Sequence, residues 1–270
     1  SIENVKVTPT GFSTFVYDLE GNQIAKLISQ NSNRIPVTWD MIPENLAHAF
    51  VAVEDKRFYE HNGIDLKGIA RALVADLKSM DFTQGASTIT QQLVKNNVLS
   101  EQWESENTGD ISKIEKMERQ VQRKIQEMYI AVELEKKVDD KDWILENYLN
   151  TINLGNGYLG VQAAANGYFD KDVSELTISE CAVIASITQN PSGYNPINYP
   201  EKNQRRQRVC LENLRDQGYI SEAQYQEAIA DDVYARIQDL HTEESASTYS
   251  YFVDELIEQL SQDLQEQKGY

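Results

Sequence analysis

The chain has 270 residues, 40% of them apolar, with few Gly and Pro. That length buries a substantial core in one large domain or two small ones, and the composition excludes a disordered or low-complexity protein. A net charge of −18 excludes a general nucleic-acid binder, which presents a basic face, although a local cationic cleft stays open.

Residues 1–42 read as a lead-in: "STFVYDLEGNQIAKL" has two β-prone runs around Glu20-Gly21-Asn22, which predicts a short β hairpin. A helical domain is expected over 43–238. Pro43 suits a first helical position, and Leu46, Ala49, Phe50 and Val53 follow at helical spacing. That helix should stop near Lys56, because "EHNG" at 60–63 is turn chemistry. A second helix is expected at 65–79, through Leu66, Ile69, Ala70, Leu73 and Leu77. Thr88 with Gln91 three residues on fits a capping box, so another helix should start there. Residues 100–112 read as a polar, acidic loop. The helix beginning "KIEKMERQ" should bury Val121, Ile125, Met128 and Val132. "DDKDWILENYLNTI" is a helix capped at Asp139 or Asp140, followed by the glycine-punctuated turn "NLGNGYLG" and the small-residue helix "VQAAANGYF". Helices at 174–188, 201–217 and 221–230 complete the compact part. Residues 239–270 carry eight carboxylates and a single lysine, and read as an acidic linker with one amphipathic helix.

Cys181 and Cys210 have no metal-binding spacing, and His48, His61 and His241 are scattered, so a zinc site built mainly from His and Cys is not expected. No apolar run approaches the roughly 18 residues that cross a bilayer, so any membrane anchor is expected outside this stretch.

Three features carry chemistry. Glu54 closes an apolar helix beside Asp55, where desolvation, the helix C-terminus and the neighbouring carboxylate all disfavour ionisation, as suits a proton-transferring carboxyl. A pair of surface charges beside Lys56 and Arg57 would look the same. Glu127 lies four residues after Arg123, on one helical face; a surface ion pair worth roughly 0.2–0.5 kcal/mol explains that spacing, and so does the second of two carboxyls flanking a glycosidic bond. The run "QGASTITQQLVKN" sets Ser87, Thr88, Gln91 and Gln92 ahead of Lys95; with Arg123 and Lys124 it would form a cationic cluster suited to phosphate.

"EDKRFYEHNGID", "GASTITQQLVKN", "RKIQE", "ILENYLN" and "ITQNPSGYNP" follow one another in the order and approximate spacing of the five signature motifs of glycosyltransferase family 51. Across roughly residues 10–235 the chain thus resembles the peptidoglycan glycosyltransferase domains of class A penicillin-binding proteins. The resemblance implies a mainly α fold: a lysozyme-like helical lobe plus a smaller membrane-proximal jaw lobe at about 66–112, with Leu73, Val74, Leu77, Met80 and Phe82 as residues that could touch lipid. It implies polymerisation of lipid II into glycan strands, with inversion at the N-acetylmuramic acid anomeric carbon and release of undecaprenyl pyrophosphate. Glu54 matches the family's general base and Glu127 its second essential glutamate, assigned to substrate positioning, leaving-group assistance or a divalent cation (Mg or Mn). Lys95, Arg123 and Lys124 match its pyrophosphate-binding cations. Asp55, Phe58, Ser87, Thr88, Gln91, Gln92 and Ser192 match positions lining the donor and acceptor sites. His61 and Gly63 look like shapers of the loop after Glu54, and Asn150 looks architectural.

The partners implied are lipid II, the growing lipid-linked glycan, the membrane surface and other cell-wall synthesis proteins, at the extracytoplasmic face of a bacterial membrane. Two features depart from the pattern: Gln189 stands where some members carry lysine, and the loop 100–120 is long and acidic. "YSYFVDELIEQL" resembles the linker into a transpeptidase domain, so a piece of a bifunctional enzyme is expected; no "SxxK" motif occurs, so penicillin binding by this stretch is not. The competing readings are a lysozyme-type lytic enzyme, which would share the fold and the catalytic Glu without needing the cations, and a non-catalytic scaffold that binds lipid II.

Overall fold

The computed structural model describes residues 14–17, 23–27, 35–71, 87–99 and 113–242. Strands β1 (Thr14–Tyr17) and β2 (Gln23–Leu27) pair antiparallel, with Thr14 opposite Leu27 and a register irregularity between Val16 and Tyr17. The turn expected at Glu20–Asn22 lies outside the described residues, as does most of 66–112, including Leu73, Val74, Leu77, Met80 and Phe82. The rest is helical, as expected.

Helix α1 (Glu44–Glu54) is apolar on nearly all sides, and Leu46, Ala47, Ala49, Phe50, Val51 and Ala52 are all buried. A helix without a polar face belongs in the middle of a core. It packs on α6 (Ile178–Ala185) and α7 (Pro200–Asp216), so the carboxylates at its C-terminal end emerge from the centre of the molecule. Helix α2 (Ile89–Val94) starts at the Thr88 capping box read from sequence: Thr88 Oγ1 accepts the Gln91 N–H, and the Gln91 side chain accepts the Thr88 N–H. It widens into a π-helical turn over Lys95–Leu99 and packs against α3 (Lys113–Val138) and α4 (Lys141–Leu149). Asp140, one of the two expected caps, accepts the Asp142 and Trp143 N–H groups. Helices α5 (Val161–Phe169) and α8 (Glu222–Ala230) follow the small-residue run and the Ser221 cap, and 233–242 is also helical.

Helix α3 corrects an expectation. Val121 is 55% exposed and Ile125 62%, and Met128 and Val132 are only partly covered. The buried face carries Glu127, Ala131, Leu134 and Glu135 instead. Spacing identifies an apolar stripe but not which face meets the core, and here polar partners on α2 decide it: Gln91 Nε2 donates to Glu127 at 3.2 Å, and Thr90 Oγ1 donates to Glu135 at 2.5 Å.

Two further ties hold the core elements in place. Asn150 makes both an N–H···O and an O···H–N bond to the Val37 backbone, at 2.8 Å each, clamping the lead-in onto α4 in the architectural role expected of it. Gly63 takes φ +87°, and a Cβ there would come within 2.7 Å of the Ala131 carbonyl, so the loop after α1 can lie directly on the α3 backbone only as glycine. Cys181 and Cys210 are free and buried, not paired; burial pushes the Cys210 thiol up to about 12.

A buried ion pair fastens the back of this assembly. Lys141 Nζ donates to Glu135 Oε2 at 2.5 Å and to the His61 carbonyl at 2.7 Å, and lies 4.4 Å from the Phe58 ring centroid. Replacing Lys141 by Met strands the Glu135 carboxylate, whose side chain is 5% exposed, with Thr90 as its remaining hydrogen-bond donor. Because Lys141 keeps some contact with water, the expected loss is about 3 kcal/mol of unfolding free energy, read from the midpoint of urea denaturation.

Candidate active site

One open cleft of about 1090 Å³ gathers the chemistry. Helix α1 contributes Glu54; the approach to α2 and α2 itself contribute Ser87 and Gln92, with Lys95 just beyond; α3 contributes Arg123, Lys124 and Glu127; the turn after α6 contributes Thr188 and Gln189. Residues from four separate parts of the chain therefore line one cleft.

Glu54 is half-buried, and each carboxylate oxygen has a donor. Gln92 Nε2 donates to Oε2 at 2.9 Å, and the Thr188 hydroxyl donates to Oε1. Gln92 is itself oriented from behind, because the Tyr148 hydroxyl donates to its Oε1 at 3.1 Å. Burial, then the charges of Glu54 and Asp55, pushes the Tyr148 phenol far above its ordinary value, so it keeps the proton it donates. With the amide oxygen occupied, the amide nitrogen can only face Glu54.

Glu127 is 5% exposed and accepts from two sides: Lys124 Nζ at 2.5 Å and Gln91 Nε2 at 3.2 Å. Lys124 Nζ also donates to Ser87 Oγ at 2.7 Å, tying the α2 approach to α3. The spacing of Arg123 and Glu127 was open to a solvated ion-pair reading. A carboxylate this buried and this well supplied with donors is no surface charge.

Several residues expected to line the donor and acceptor sites lie behind the cleft wall instead. The Asp55 carboxylate is buried; its Oδ2 accepts the Ile89 N–H at 3.0 Å, and His61 Nε2 sits 2.9 Å and 3.0 Å from its two oxygens. It thereby fixes the N-terminus of α2 to the C-terminus of α1. Phe58 is fully buried beneath Lys141. Thr88 Oγ1 donates to the Gly63 carbonyl at 2.7 Å, and Gln91 reaches Glu127 from inside the core. Ser192 is exposed at the turn beyond Pro191, which itself lines the cleft. The four buried side chains, Asp55, Phe58, Thr88 and Gln91, shape the site rather than face it. Gln189 does face it, with its Oε1 accepting from Arg206 Nη1 at 3.2 Å. Sequence reasoning missed Thr188, although it adjoins Gln189 in a quoted motif, and read Tyr148 only as core.

The transglycosylase family model matches residues 20–215. The chain belongs to the transglycosylase family. Penicillin-binding protein 1F of Bacillus subtilis is 39% identical to this transglycosylase domain over 249 residues, which is 92% of this chain and 32% of that protein. Penicillin-binding protein 1A of Clostridium botulinum is 37% identical over 95% of this chain and 30% of its own length. The transglycosylase chain therefore spans about a third of the curated relatives it matches. A crystal structure of penicillin-binding protein 1A from Haemophilus influenzae aligns at TM-score 0.44 and 24% identity, over 83% of this chain and 21% of that one.

Proposed function

We propose that this transglycosylase domain polymerises lipid II into glycan strands, with Glu54 as general base. The observation that carries the reading is the sharing of one cleft by Glu54, held in acceptor orientation by two donors, and a cationic wall of Lys95, Arg123 and Lys124. A hydrolase needs the first and has no use for the second.

Glu54 takes the proton of the N-acetylglucosamine 4-hydroxyl of the acceptor, lipid II. The freed oxygen attacks the anomeric carbon of N-acetylmuramic acid at the end of the growing lipid-linked glycan. The anomeric bond to undecaprenyl pyrophosphate breaks with inversion, and its electron pair leaves on the pyrophosphate. Lys95, Arg123 and Lys124 offset that developing charge where it forms. Glu127 holds Lys124 in place for this task, and the bond from Lys124 to Ser87 keeps the ammonium at the cleft edge. Among the described residues no three His, Cys, Asp or Glu side chains converge, and the Lys124 ammonium sits on Glu127 Oε1; a divalent cation shared by Glu127 and the substrate's pyrophosphate would offset the same developing charge.

A substrate with a polyprenyl tail calls for a cleft at a membrane surface, and this reading puts it at the extracytoplasmic face of a bacterial membrane, with other cell-wall synthesis proteins as partners. No described helix is long and apolar enough to cross that membrane. The outer face of α3, with Val121, Ile125 and Tyr129 exposed, suits contact with lipid. The deciding experiment supplies labelled lipid II to the chain in detergent or vesicles. Polymerised glycan supports the reading; muropeptides released from preformed glycan would mark a lytic enzyme instead.

A further inference from the structure

Thr188 is a half-buried hydroxyl on the turn after α6 with two acceptors in reach: the Glu54 carboxylate and, at 3.3 Å, the Ala185 carbonyl. We propose that Thr188 is a positioning residue for Glu54, a hydroxyl that donates to the carboxylate before proton transfer and turns to the Ala185 carbonyl afterwards. This rests on the reading of Glu54 as the base.

The two partners of Glu54 differ in what they can do. Gln92 presents an amide nitrogen, a donor only, and cannot reverse because Tyr148 fills its oxygen. An ionised Glu54 accepts from both partners. Once Glu54 holds the proton of the acceptor hydroxyl, one of its oxygens must donate, and the amide cannot receive that bond. The Thr188 oxygen can. Its own hydrogen stays on Oγ1 and swings toward Ala185, so the proton on Glu54 Oε1 finds a lone pair. The proton thus moves from the sugar hydroxyl to Glu54, while the electrons of the broken O–H bond form the new glycosidic bond. Thr188 gains and loses no proton. The structure therefore provides for both protonation states of the base without moving the backbone.

The charged and titratable groups around this pair come from every adjoining element: Asp55 after α1, Lys95 after α2, Arg123, Lys124 and Glu127 on α3, Tyr148 on α4, and Arg206 on α7, which donates to the Ser186 carbonyl and to Gln189. All of them remain when Thr188 alone is changed, so a shifted pH profile reports on the hydroxyl.

The test is the pH dependence of kcat/KM for lipid II polymerisation by the chain and its Thr188→Val and Thr188→Ser variants, with thermal unfolding as the check on folding. Losing a donor to the carboxylate makes its ionised form harder to reach, so the acidic limb in Thr188→Val moves up by about one pH unit and kcat/KM falls about tenfold with KM little changed. Thr188→Ser restores both. If valine crowds the site and the variant unfolds, Thr188→Ala carries the same expectation. An unmoved acidic limb overturns the proposal, as does a loss of rate that serine does not rescue, because packing alone would then explain it. If the unaltered chain makes no glycan from lipid II, the reading of the site falls first and this inference with it.

Discussion

Glu54→Gln is expected to lower lipid II polymerisation by about a thousandfold or more while leaving the fold intact. A positioned general base contributes roughly 10²–10⁴-fold, and no other described side chain shares both oxygens' donors with Glu54. The amide is nearly isosteric. Gln92 can still donate to its oxygen, and Thr188 can accept from its nitrogen by turning its hydrogen to Ala185. Thermal unfolding should therefore shift by no more than a few degrees. Conversion of labelled lipid II to polymer by the purified variant, followed by gel electrophoresis, reads the effect. Wild-type rates in Glu54→Gln would eliminate the base assignment and leave a lipid II scaffold as the better account.

Replacement of Glu127 should give the second-largest loss, and here two substitutions separate charge from packing. Glu127→Gln keeps an oxygen at the position where both Gln91 and Lys124 donate, but removes the negative charge that anchors the Lys124 ammonium. Because the Lys124 side chain is 42% exposed, the stability change is expected to be small, about 1 kcal/mol or less. Activity should nevertheless fall by roughly 10²–10³-fold, since a neutral amide holds the ammonium aimed at the leaving group far more weakly than the carboxylate does. Glu127→Ala also strands the fully buried Gln91 amide and should cost about 1–3 kcal/mol more in urea denaturation. Equal activity in wild type and Glu127→Gln would remove Glu127 from the mechanism.

Parts of this site are legible in the sequence because their signals are local. The capping box at Thr88 and Gln91 needs four residues, and it forms as written. The same holds for the cap at Asp140 and for the apolar helix that delivers Glu54. The side chains that hold Glu54 are not local. Gln92 is 38 residues away, and Thr188 is 134 away. The family resemblance implied Asp55 as a residue lining the substrate sites; its capture by His61 and the Ile89 N–H depends on where α2 begins in space.

Helix α3 marks the boundary most clearly. Its length and its apolar stripe follow from residue spacing alone, because backbone geometry converts spacing into a face. Which face turns inward does not follow. Val121 and Ile125 offered hydrophobic burial, but Gln91, Thr90, Lys124 and Lys141 offered Glu127 and Glu135 hydrogen bonds that a buried carboxylate requires. Sequence by itself determined a helical protein, its order of elements and the residue types that mark the family. Tertiary structure decided which carboxylates are buried, which hydroxyl touches the base and which cations meet it across the cleft, because each of those depends on partners brought together only by the packing of α1, α2, α3 and α6.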